Sequence, residues 1–152
     1  MDNFIRVYEN AFSTELCDRL ISKFESTELE ERERHDMGEM HFSQVNFRAC
    51  GWKQEQEELV HIFLSHTKKY TDDVGITTEF PQKYALEDIR LKKYIPDGYD
   101  QFGPHVDVVD KNTSTRFLVF FVYLDDNISG GTHFDRINLT SPCKKGSMLV
   151  FP

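Results

Sequence analysis

Apolar residues along this chain change their period once. In the first half they recur at helical spacing, as Leu16, Cys17, Leu20, Ile21 and Phe24, and again as Leu59, Ile62, Phe63, His66 and Tyr70. Steps of three and four put side chains on one face of a helix, so two amphipathic helices are predicted. The first is capped by Ser13 and ends near Ser26; the second runs from Gln54 to Tyr70. A short strand from Phe4 to Tyr8 precedes them and closes in the turn-prone pair Glu9-Asn10. From residue 89 onward the helical period is gone. Ile89 to Lys93, Arg116 to Leu124 and Met148 to Phe151 read as strands, the second apolar on both faces, as expected of a strand covered on two sides. Two stretches lack such patterning. Residues 25 to 39 concentrate charge (Glu25, Glu28, Glu30, Glu31, Glu33, Asp36 and Glu39 against Arg32 and Arg34). They read as a solvated loop or frayed helix end, or, functionally, as a mobile cover. Residues 71 to 88 carry Gly75 and Pro81 and read as a connection. Helices first and strands second predict an α+β fold, with helices on one face of an antiparallel sheet. Residues 1 to 88 would support a core of residues 89 to 152, together forming one domain.

Composition narrows the partners. A chain of 152 residues with 13% aromatic content and 13 Phe can bury a single-domain core. Its net charge of -8 opposes binding to a phosphate backbone, so no nucleic-acid partner is expected. No apolar run is long enough to span a membrane, and the opening residues lack the features of a signal peptide, so a cytoplasmic location is expected. Cys17, Cys50 and Cys143 are odd in number, widely spaced and without a CxxC, as in a protein of reduced thiols.

The candidate chemistry centres on His105-Val106-Asp107. At this spacing on a strand, an imidazole and a carboxylate point to one side and can grip one ion. They supply two members of a 2-His-1-carboxylate triad, an arrangement that leaves positions open and suits non-haem Fe(II). The tripeptide is common, so its surroundings decide. Tyr94 has the opposite parity to Ile89, Leu91 and Ile95 and can face a polar cavity. Tyr123 ends the apolar strand that starts at Arg116. Gly130-Gly131 reads as a tight turn or bulge. His35, Asp36 and His41 form a second cluster, but on a charged loop no strand aligns them.

These segments form an ordered series. Tyr94-x3-Gly98 leads to His105-x-Asp107, then to Arg116-x6-Tyr123-Leu124-x-Asp126, to Gly130-Gly131-Thr132-x-Phe134, and to Pro142-x3-Gly146-Ser147-x-Leu149-x-Phe151. In order and spacing the series resembles the iron(II)/2-oxoglutarate-dependent oxygenases, in their prolyl-4-hydroxylase-like branch. The resemblance covers residues 89 to 152. It implies a double-stranded β-helix, or jelly roll, with N-terminal supporting helices. It also implies Fe(II) on His105 and Asp107, 2-oxoglutarate contacted by Tyr94, Tyr123 and Thr132, O2 as second cosubstrate, and ascorbate as reductant. The glycine segment is one residue shorter than the family's GG-E-T-x-F. Thr132 is therefore either the family threonine, with Ser129 in place of the first glycine, or a residue displaced from it. The implied reaction hydroxylates a C–H bond while 2-oxoglutarate is converted to succinate and CO2, and retention of Asp107 favours hydroxylation over halogenation. Peptidyl proline is the substrate class implied; another protein side chain, a free amino acid or a small metabolite are the others.

One departure matters. The resemblance implies a second metal-binding His after Met148 to Phe151, then a Lys or Arg that pairs with the distal carboxylate of 2-oxoglutarate. This sequence ends at Pro152. The expectation is a fragment of a longer reading frame whose final strands are missing. The competing expectations are a catalytically silent jelly-roll binding module and a third ligand supplied by His133.

Overall fold

A computed structural model describes residues 4–96 and 98–152. Asp97, within the segment that follows the Ile89 to Lys93 strand, lies outside the described residues, as do Met1 to Asn3. Among the described residues nine strands and two α-helices follow one another: β1 (Arg6–Tyr8), α1 (Thr14–Ser26), β2 (Glu33–Met37), β3 (Met40–Asn46), α2 (Lys53–Val74), β4 (Arg90–Lys93), β5 (Gln101–Phe102), β6 (Val119–Val122), β7 (Asn127–Phe134), β8 (Leu139–Cys143) and β9 (Met148–Phe151). Every strand pairing is antiparallel. Few helices and antiparallel sheets give the mixed architecture that the change of period predicts. The chain divides into two compact units. One comprises Met1–Lys23, Ile62–Pro81 and Arg116–Pro152, the other Phe24–His61 and Gln82–Thr115.

In the first unit β9 is the central strand, between β1 and β6. Met148, Leu149 and Val150 are fully buried, because a central apolar strand is covered on both faces. Cys17 and Leu20 of α1 and Phe63 and Tyr70 of α2 are buried in the same unit. The Phe63 ring meets the rings of Phe12 at 6.1 Å and Phe120 at 6.0 Å. The buried Tyr70 hydroxyl donates to the Phe4 carbonyl at 2.8 Å. The expected cap of α1 forms, with the Leu16 amide donating to Ser13 Oγ at 3.2 Å. The turn before β9 requires glycine at Gly146. Its φ is +75°, and a Cβ there would stand 2.5 Å from the Phe12 carbonyl oxygen.

Two expectations are corrected in this unit. The strand read from Arg116 to Leu124 is regular only over Val119–Val122 and only half-buried, because it is an edge strand of the sheet rather than its centre. The second helix runs to Val74 and not to Tyr70. It stops where Gly75 takes a φ of 72° and the Ile76 amide folds back to the Thr71 carbonyl at 3.0 Å, a glycine-terminated helix end. Gly130 and Gly131 do sit at an irregularity: β7 and β8 shift register between Asn127 and Thr132. A Cβ on Gly131 would lie 2.6 Å from the Ser141 carbonyl oxygen.

The second unit holds the sheet β2-β3-β4, with β5 also paired to β3. Here the charged stretch read as a loop from residue 25 to 39 contains β2. Its charges are what pair it to its neighbours. Gln44 donates to Glu33 across the β2–β3 ladder at 2.6 Å, His41 bonds Asp36, and Gly38 at φ 59° opens the two-residue turn. Polar residues that face water on both sides can still form a strand when cross-strand partners exist. β3, whose Phe42 and Val45 are buried, was not anticipated.

Candidate metal and cosubstrate site

The HxD pair lies in the second unit, in an irregular, bent segment just beyond β5 rather than within a strand. The strand ladder positions it nonetheless. Phe102 pairs with Met40 of β3, and the next amide, that of Gly103, donates to the Glu39 carbonyl at 2.8 Å. A Cβ on Gly103 would come 2.5 Å from Glu39 Cβ, so only glycine lets the chain approach the hairpin this closely.

The orientation of His105 follows from Gly103. Its Nδ1 lies 3.0 Å from the Gly103 carbonyl oxygen, which can only accept, so the proton is on Nδ1. In the neutral ring Nε2 then carries a lone pair. Asp107 Oδ1 lies 3.8 Å from Nε2. With ligand bonds of about 2.0 to 2.2 Å, a separation under 4 Å lets both atoms reach one ion. A carbonyl fixing the far nitrogen is also the usual outer support of a metal-binding imidazole. The pair therefore fits Fe(II) as two ligands. Among the described residues no group of three His, Cys, Asp or Glu side chains is placed to hold a metal.

Around the pair stands an aromatic wall. The Phe102 ring meets His105 edge-on at 4.4 Å and Phe42 at 5.3 Å, and Phe42 meets Tyr94 at 5.7 Å. Tyr94 follows β4 directly. Although 42% of the residue is exposed, crowding of its hydroxyl end, and secondarily the Asp100 charge, push its pKa up, so it keeps its proton. Two positions before Tyr94, Lys92 was missed in the sequence. Its Nζ lies 3.9 Å from the Phe102 ring centroid and 4.5 Å from that of Phe42. Lys92 is exposed as a residue, yet its ammonium end is covered by ring faces. That covering first, and Arg90 second, lower its pKa to about 8, against the attraction of Asp107. Strand parity was the available signal: Lys92 shares a face with Tyr94.

Beside this wall, the second His/Asp cluster is a hydrogen-bonded clamp. Asp36 accepts from His41 and, at 2.7 Å, from the Tyr99 hydroxyl, while Arg34 forks onto Asp100 at 2.6 and 3.1 Å. Tyr123 and Thr132 belong to the first unit. They are bonded to each other, with 2.8 Å between the Tyr123 hydroxyl and Thr132 Oγ1 and 3.1 Å from the Thr132 amide to the same hydroxyl. His133, in the same unit, has its own partners, Thr140 at 2.8 Å and Asp135 at 3.5 Å.

No protein-family model and no curated protein sequence matches the chain. A solved structure does: the crystal structure of the viral collagen prolyl hydroxylase vCPH from Paramecium Bursaria Chlorella virus-1, a complex with 2-oxoglutarate. The match has a TM-score of 0.63 and 20% sequence identity, over 97% of this chain and 77% of the hydroxylase. The chain therefore has the fold of that prolyl hydroxylase.

Proposed function

We propose that this chain is an Fe(II)- and 2-oxoglutarate-dependent dioxygenase domain of the double-stranded β-helix type. It hydroxylates a C–H bond, with peptidyl proline as the first substrate class to test. The observation that carries this is the close pair: His105, tied by Nδ1 to the Gly103 carbonyl, has its Nε2 3.8 Å from the Asp107 carboxylate. The sequence series and the shared fold with a 2-oxoglutarate-bound prolyl hydroxylase support the same assignment.

His105 Nε2 and the Asp107 carboxylate would hold Fe(II). When bound, the metal supplies the redox chemistry by which O2 converts 2-oxoglutarate to succinate and CO2 while one oxygen atom enters the substrate C–H bond. The chain's residues supply the setting. Tyr94 keeps its proton and can donate to a carboxylate oxygen of 2-oxoglutarate. Phe102 lies edge-on against the His105 ring and supports it. Val106, Val108 and Val109 are exposed beside Asp107 and give a peptide or other partly apolar substrate a surface to rest on. For Tyr123 and Thr132, a part in cosubstrate binding rests on the sequence resemblance alone. Ascorbate would keep the iron reduced. No described helix is long and apolar enough to cross a membrane. We place the protein in the cytoplasm and expect no nucleic-acid partner.

Succinate formation from 2-oxoglutarate with Fe(II), O2 and ascorbate, with and without a proline-rich peptide, tests this. Slow, iron-dependent turnover is expected, because two protein ligands hold the ion less firmly than three. Asp107→Ala should abolish it. Turnover equal in wild type and Asp107→Ala would refute the assignment. Metal and 2-oxoglutarate binding without succinate would make the chain a binding module.

A further inference from the structure

Resting on the function just proposed, we propose that Tyr99 and Arg34 are positioning residues for the metal pair: they pin the stretch that carries Gly103, and through it His105, to the β2–β3 hairpin. The pinning runs along consecutive residues. The Tyr99 hydroxyl donates to Asp36 at 2.7 Å, and its ring lies 4.2 Å from that of His41, which bonds the same carboxylate oxygen. Asp100 takes the Arg34 fork and also accepts from the Ile95 amide at 2.9 Å, which draws the loop after β4 back on itself. Gln101 and Phe102 then pair with His41 and Met40, and the Gly103 amide donates to the Glu39 carbonyl. Residues 99 to 103 are thus tied one after another to a single hairpin. Two contacts of His105 stand on that stretch, the Gly103 carbonyl at Nδ1 and the edge-on Phe102 ring.

The ladder alone gives this stretch little hold. β5 contributes only two residues to it, fewer than an ordinary strand, and the HxD that follows lies outside any strand. Side chains supply what the ladder lacks, and charge makes their bonds strong. Tyr99 first, and His41 second, hold the Asp36 carboxyl below the usual carboxylate range, so it is an ionised acceptor at neutral pH. Arg34 meets both oxygens of Asp100, which fixes direction as well as distance. Tyr99 is half exposed, so its hydroxyl bond places the chain more than its ring fills a core. Ligands of a metal must be held within about 0.5 Å of their working geometry. By linkage, a hairpin that holds the pair for the ion must in turn be steadied by the ion.

Two measurements on the full chain separate positioning from a merely structural role: Mn(II) affinity by calorimetry, and hydrogen exchange across residues 33 to 46 by mass spectrometry, with and without Mn(II). The variants are Tyr99→Phe, which removes one hydroxyl; Arg34→Met, which removes the fork; Arg34→Lys, which keeps the charge without the fork; and Tyr70→Phe as control, which removes the hydroxyl bonded to the Phe4 carbonyl in the first unit. Tyr99→Phe and Arg34→Met should each weaken Mn(II) binding about tenfold, the low end for a support behind a metal ligand. Arg34→Lys should recover part of that loss, and Tyr70→Phe should lower the thermal midpoint while leaving Mn(II) affinity as it was. Mn(II) should slow exchange of the hairpin in the wild-type chain, not in Asp107→Ala, and much less in Tyr99→Phe. Unchanged affinity in Tyr99→Phe and Arg34→Met, or an equal loss in Tyr70→Phe, overturns the positioning role while the metal site stands. If Asp107→Ala binds Mn(II) as well as the wild-type chain does, the proposed function fails and the positioning role with it. Circular dichroism of each variant shows whether the fold is kept.

Discussion

At the scale of single residues, the candidate site is a matter of which atom carries a proton. The Gly103 carbonyl fixes the proton of His105 on Nδ1 and so leaves Nε2 available beside Asp107. Either member alone is a poor ligand set. His105→Ala or Asp107→Ala should each lower Mn(II) affinity at least tenfold in a calorimetric titration, the size of effect that even outer-shell changes produce at metal sites. Asp100 gives a prediction of pH dependence. The Arg34 guanidinium first, and the Ile95 amide second, hold its carboxyl below the usual carboxylate range. A depressed carboxylate stabilises the fold above its unfolded pKa, about 3.9, and loses that contribution as pH falls through the lower folded value. The segment that Asp100 ties down should thus be indifferent to pH near neutrality and loosen only in strong acid. Carboxyl NMR titration checks this: Arg34→Ala should move the Asp100 midpoint upward, and an unmoved midpoint would show that the fork does not matter. His105, Asp107 and Tyr94 stand out in the sequence as candidates, and the fold sets the first two within 3.8 Å of each other. Lys92 does not stand out, because an isolated lysine on a charged strand reads as solvated surface until the two rings under it are in place.

At the scale of elements, glycines mark where backbones touch. Gly146→Ala combines a positive φ with a Cβ 2.5 Å from the Phe12 carbonyl oxygen. It should cost about 2 kcal/mol or more in urea denaturation, since strain and clash add at a position backed by main chain. Gly103→Ala has a different signature. It pushes β5 away from the hairpin turn at Glu39 and disturbs the carbonyl that orients His105. Metal affinity should fall about tenfold, while the thermal midpoint changes less than for Gly146→Ala. Periodicity located α1, the body of α2, β4 and β9, each of which buries one consistent face or, for β9, both. It missed β2 and β3, and for a physical reason. Arg34 is held in β2 by Asp100 and Asp36 by Tyr99, partners distant in sequence, so no local apolar pattern announces the strand. It also overextended β6, because an apolar run says nothing about whether a strand lies at the centre or the edge of its sheet.

At the scale of the whole molecule, the mixed helical and antiparallel fold was readable from the single change of period, and the shared fold with a viral prolyl hydroxylase agrees with it. The two compact units were not readable, since each is assembled from separated stretches of chain. The central claim is that one metal ion binds between His105 and Asp107. Titration of the 15N-labelled chain with paramagnetic Mn(II), followed residue by residue in amide NMR spectra, tests it most directly. Amide signals from Phe102 to Val108, together with those of Lys92 and Tyr94, should broaden first, and Asp107→Ala should remove that selectivity. Broadening that begins at His41 and Asp36, or that spreads evenly over the acidic surface, would contradict the account.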